Sequence, residues 1–135
     1  MRLWHQKILP YLPRQQLLGQ HRECAALRGQ GWGRNHSVVN YVFQHEPDKL
    51  VLYHYLVMKE MKRRGYNPEP IWLEPNWRGK VLEWGDWIEA TAKDFDNAVG
   101  ALDGCVYAEH DDAYLQECIE NLRSKGIIIN FNEAI

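Results

Sequence analysis

Four stretches of this chain repeat apolar residues at helical spacing, and each is punctuated by residues that start or stop a helix. Pro13 opens the first, at a position where its missing N–H costs nothing, and Gly29 closes it as a left-handed residue past the last turn. Leu17, Leu18, His21, Cys24, Ala25 and Leu27 fall on its inward stripe. The second opens at Pro47-Asp48 and runs to about Arg64, with Gly65 as its stop. Lys62, Arg63 and Arg64 complement the negative end of that helix, and Leu50, Tyr53, Val57 and Met61 form its core stripe. Asp86 followed by Glu89 reads as a capping box opening a third helix, with Ile88, Ala92, Phe95 and Val99 on the buried spacing. A fourth starts near Asp111 and ends before Gly126, turning Leu115, Cys118, Ile119 and Leu122 inward. VNYVF (39–43) is extended or a short helix, and the IIINF tail is a lone strand at most. The expected fold is all-α, a single irregular three- to four-helix domain over residues 1–135.

The 135 residues suffice for one domain with a hydrophobic core. No apolar run approaches the roughly 18 residues a membrane helix requires, so no membrane partner is expected. The opening MRLWHQKILP has no long apolar region or small-residue cleavage site, which points to a cytoplasmic protein without a secretory signal. Cys24, Cys105 and Cys118 are odd in number and contain no C-x-x-C pair, so reduced thiols are expected. None of the six histidines stands in an H-E-x-x-H pattern, and neither a metal nor a cofactor is expected.

Charge is divided unevenly along the chain. Residues 1–80 hold 13 Lys and Arg against 6 Asp and Glu, while residues 81–135 hold 3 against 12. Such asymmetry suggests a polyanion partner for the basic half, or two halves that attract each other. Within the basic half, RGQGWGRN (28–35) is a glycine-rich loop following a helix, not a strand, so it is no dinucleotide fingerprint. Trp32 in that loop can stack on a base while Arg28 and Arg34 hold phosphates, or it can fold back onto the core. Trp72, Trp77, Trp84 and Trp87 lie in and after a loop containing three prolines (66–80). They either cover that loop as core or line a pocket for a flipped base.

The segment QQLLGQHRE (15–23) carries the candidate chemistry. On a helix Gln16, Gln20 and Glu23 share one face, with Arg22 one step round. Glu23 is the sole acid among the first 45 residues. It is either a surface carboxylate neutralised by Arg22 and Arg28 or a carboxylate with a chemical task.

QQLLGQHRE, the DKL that heads the second helix, its KRRGYN end and the later WRGK occur in the order and spacing of the pyrimidine-dimer DNA glycosylase family, which residues 1–80 resemble. That resemblance implies a DNA glycosylase with AP (β-elimination) lyase activity on double-stranded DNA, working as a monomer. The nucleophile it implies is the chain's own α-amine, here that of Met1, which the bulky Arg2 should keep in place. Glu23 becomes the catalytic carboxylate. Arg2 and Arg22 become DNA contacts, and Gln16, which stands where the family has a His, is carried over as a DNA-binding residue. His21 replaces the family's Tyr before R-E, and the family's C-terminal W-Y-x-Y-Y cluster is absent. The chemistry suits these groups. An α-amine titrates near 7.7–8.0, about two units or more below lysine, and adjacent arginines lower it further. A nearby carboxylate can move the proton that imine formation and elimination require. Two other functions fit the same residues: a non-catalytic nucleic-acid-binding module of the same fold, and a domain whose acidic C-terminal half docks a small molecule or protein.

Overall fold

The computed structural model describes residues 3–29 and 40–129. Among them are four α-helices: α1 (Arg14–Arg28), α2 (Pro47–Arg63), α3 (Ala92–Ala101) and α4 (Asp112–Ser124). Three 3-10 turns, Gln6–Tyr11, Asn40–Gln44 and Pro70–Leu73, join them. No strand occurs among the described residues, only an isolated antiparallel bridge between Trp77 and Trp84. The all-α reading therefore stands. Residues 40–43 of VNYVF lie in the 3-10 turn Asn40–Gln44, and residues 127–129 form no strand.

α2 is the central post. Leu50, Tyr53, Val57 and Met61 are buried as the spacing predicts, against α1, α4 and the chain start. Its opposite side buries Val51, Tyr55 and Met58 against Ile88 and Phe95. A helix apolar on both flanks has to be covered on both, and each large side chain so buried contributes roughly 1.5–3 kcal/mol. No described helix is long and apolar enough to cross a membrane. Cys24 and Cys118 are buried, and burial pushes the Cys24 pKa up.

Two helix boundaries differ from expectation, each for a tertiary reason. α3 starts at Ala92, not near Asp86. Its capping box is Thr91 with Asp94: Asp94 N donates to Thr91 Oγ1 (3.2 Å) and Thr91 N to Asp94 Oδ2 (2.9 Å). Residues 87–88 are held out of helix by Asn76, whose Oδ1 accepts from Trp87 N and Ile88 N and whose Nδ2 donates to Ile88 O. Gly29 closes α1, yet its φ of −89° is not left-handed. Glycine is needed there because a Cβ would meet the Arg78 carbonyl oxygen at 2.7 Å. By contrast Gly65 is left-handed, with φ 87°, as expected after α2.

The chain start is woven into the body. Leu3, Ile8, Leu9 and Leu12 are buried. The Gln6 side chain behaves like a strand partner for the segment before α4, donating to Gly104 O (3.0 Å) and accepting from Val106 N (2.7 Å). Gln6 N donates to His110 Nδ1 (3.1 Å). Residues 104–114 of the acidic half thus bind Leu3 and Gln6.

Candidate active site

One groove, of about 560 Å³, runs along the exposed side of α1. Gln16, Gly19, Gln20, Arg22 and Glu23 form one wall; Trp4 and Lys125 stand across from them. Helical pitch alone sets the first wall, since positions three and four apart stack on one face. Gly19 leaves room on that face: the Arg22 guanidinium lies back over it, with Nη2 3.7 Å from where a Cβ would sit.

The second wall is set by a clamp on the chain start. Trp4 N donates to Gln20 Oε1 at 2.6 Å. The Tyr53 hydroxyl donates to Trp4 O at 2.5 Å and lies 3.1 Å from the same Gln20 oxygen. The Tyr114 hydroxyl donates to Leu3 O at 2.5 Å. α1, α2 and α4 therefore each supply one side chain to the backbone of residues 3–4. Gln20 and Tyr53 are fully buried, so these bonds form away from competing water. Burial also drives the Tyr53 pKa well up, which keeps it a neutral donor. Glu23 is half-buried and sits one helical turn beyond Gln20.

Of the residues singled out from sequence, Gln16, Arg22 and Glu23 come together in this groove. Met1, Arg2, Trp32 and Arg34 lie outside the described residues. Arg28 requires a correction. Expected to contact DNA, it is 0% exposed and turned into the molecule. Its Nη1 donates to Trp72 O (2.8 Å), and its Nη2 to Glu74 O (2.8 Å), Trp77 O (3.0 Å) and Pro75 O (3.3 Å), with the guanidinium 5.1 Å over the Trp72 ring. A cation enclosed by carbonyl dipoles has no face left for a phosphate. It holds the proline loop instead. Nor does it neutralise Glu23.

Arg28 also orients two histidines. Its Nη1 lies 3.0 Å from His54 Nδ1, and His54 Nε2 lies 2.8 Å from His21 Nδ1. Arginine only donates, so His54 accepts at Nδ1, carries its proton on Nε2 and passes a hydrogen bond to His21, whose own proton is left on Nε2. Burial first, then the Arg28 charge, holds His54 neutral far below its usual range; burial and the charges of Arg22 and Arg28 lower His21 as well. His5 is buried at the other end, capping the first 3-10 turn by accepting from Lys7 N (3.1 Å). Among the described residues no group of three or more His, Cys, Asp or Glu side chains could hold a metal ion.

The tryptophans after α2 are mostly spent on the loop that carries them. Trp72 and Trp77 meet edge to face at 6.4 Å, Trp77 and Trp84 at 5.2 Å, and Arg78 lies 4.1 Å over Trp87. Trp84 alone is largely exposed, at 59%. None of the four lines the groove along α1. Trp4 and Lys125 in the groove, and Tyr53 and Tyr114 in the clamp behind it, are the residues that sequence reasoning missed. Tyr53 was legible only as core; Trp4 meets α1, Tyr114 meets Leu3 and Lys125 meets Trp4 across long stretches of chain.

A family model described as pyrimidine dimer DNA glycosylase matches residues 1–74, a segment that contains the whole α1 wall, Trp4 and Tyr53. No curated protein matches the chain, and no solved structure does.

Proposed function

The chain belongs to the pyrimidine dimer DNA glycosylase family, and on that premise we propose that it excises a damaged or modified base from double-stranded DNA and cuts the resulting abasic strand by β-elimination. The nucleophile in this reading is the α-amine of Met1. It attacks the anomeric carbon as the glycosidic bond breaks and its electron pair leaves with the base. Loss of the amine proton and opening of the sugar give an imine. Glu23 takes up and returns the protons of these steps, including the one removed from the sugar before the phosphate departs. Arg22 grips backbone phosphate, and Gln16 contacts the DNA beside it.

The observation that supports this reading most strongly is the clamp on residues 3–4. Gln20 ties Trp4 N to α1 one turn before Glu23, while Tyr53 and Tyr114 hold the two neighbouring carbonyls. Three residues, at most about 11 Å of chain, separate the Met1 nitrogen from Trp4 N, and in this reading the amine works within that reach of the α1 face. Arg22 on the same face favours the neutral amine by charge repulsion.

Borohydride reduction in the presence of an abasic-site duplex tests the reading. A covalent protein–DNA adduct is expected, and it should vanish when the α-amine is acetylated. Glu23→Gln should keep duplex binding and lower strand cutting by at least about 100-fold. Binding without any adduct would leave a nucleic-acid-binding module of the same fold and remove the lyase.

A further inference from the structure

We propose that Lys125 is a phosphate-binding residue of the substrate groove, supplied by the part of the chain that the family model does not reach. The inference rests on the glycosylase reading of that groove and adds a contact on its second wall. Residues 81–135 contain only three basic residues: Lys93, Arg123 and Lys125. Lys93 lies on α3, and Arg123 is paired with Glu120 on its own helix. Lys125 follows α4 directly, held by its N–H on Leu122 O (3.0 Å), and Gly126 with φ 80° turns the chain away behind it. Its ammonium is seated 5.4 Å from the centre of the Trp4 ring.

That seat is rigid. Trp4 is buried, and both its backbone groups are tied to the body by Gln20 and Tyr53. Lys125 itself is exposed, and its ammonium rests beside that anchored ring where both line the groove. Among the described residues no carboxylate pairs with Lys125, and none pairs with Arg22. Among the described residues Glu23 is the one acid lining the groove. Two cations without a described carboxylate partner, lining one groove with Glu23, suit a polyanion whose charges flank a reacting centre. A lysine in this position also meets the negative end of α4, which alone would explain a cation there. The groove-facing seat on Trp4 requires more than that end effect, and the two explanations separate experimentally.

Affinity for a duplex carrying a non-cleavable tetrahydrofuran abasic analogue is measured against salt concentration for the native chain, Lys125→Met, Lys125→Arg and Arg22→Met. Methionine keeps an unbranched stem over Trp4 and removes the charge. Lys125→Met should weaken binding about fivefold to tenfold at low salt and flatten the log–log salt slope by about one. Lys125→Arg should restore both, with the thermal midpoint unchanged throughout. Native slope and affinity in Lys125→Met, with Arg22→Met weakened, would overturn this inference and leave the glycosylase reading intact. Weakened binding with an unchanged slope would also overturn it, by making Lys125 a packing residue. Absence of duplex binding by the native chain would overturn both.

Discussion

A guanidinium taken wholly out of water stays folded in place only if carbonyl dipoles replace its hydration. Arg28 meets that condition with four carbonyls of the proline loop and the Trp72 face, and burial lowers its pKa only to about 10, so it remains charged at neutral pH. Removing it strands those carbonyls in the interior at about 1–3 kcal/mol each. Arg28→Ala should therefore lose at least about 3 kcal/mol in urea unfolding, while duplex affinity of the folded fraction stays native. Weaker duplex binding at native stability would return Arg28 to the interface. In sequence Arg28 looked like Arg22, a helix-borne arginine beside a glycine-rich loop. What separates them is the 44 to 49 residues of intervening chain that bring the loop carbonyls over Arg28 and leave Arg22 in the open.

At the level of elements, α4 acts on the opposite end of the chain. The Tyr114–Leu3 bond spans 111 residues and is the only direct bond from α4 among the three on residues 3–4. Tyr114→Phe should cost about 1 kcal/mol of stability, the net worth of one hydrogen bond. Its larger effect should fall on the single-turnover rate of borohydride trapping, with duplex affinity unchanged. A native trapping rate in that variant would show that α4 covers the chain start without positioning it. The C-terminal end of α2 secures the residues that follow, 9–12. Burial raises the Glu60 pKa, but hydrogen bonds from Arg63 and Arg64 outweigh it and leave the carboxyl below its usual range. Arg64 in turn donates to Leu12 O, Leu9 O and Pro10 O. The helices themselves were legible because their signals are local. α3's true start was not, since Asn76 competes for the amides of Trp87 and Ile88 from outside that segment.

For the molecule as a whole, three buried histidines set the response to acid. Burial lowers His5 and His54, and lowers His110 to about 3, so all three are neutral in the folded chain at neutral pH. Unfolded, each titrates near 6.5. Their folded pKa values are depressed, so the stability they permit is complete above pH 6.5. It declines as pH falls from there toward the folded values, because the unfolded chain takes up protons that the fold refuses. The slope should approach the two protons of His54 and His110, roughly 1.4 kcal/mol per pH unit for each, by about pH 5, with His5 adding to it in the same direction. The partly exposed His21 adds a smaller share. Urea midpoints between pH 7.5 and 5 check this, at roughly those limits around the histidine range. A flat profile would mean that these histidines are charged in the fold.

The sequence by itself determined the helices and the wall of the groove that lies on α1. Helix periodicity, caps and the i, i+4, i+7 register of Gln16, Gln20 and Glu23 depend only on residues within a few positions of one another. Only the tertiary structure decided what faces that wall. Trp4 and Tyr53 reach Gln20 across 16 and 33 residues, Tyr114 reaches Leu3 across 111, and Lys125 lies against the Trp4 ring; these contacts hold residues 3–4 on α1, while the proline loop folded over Arg28 buries it. A contact between residues so far apart is selected by which apolar faces must cover one another, and no local pattern records that choice.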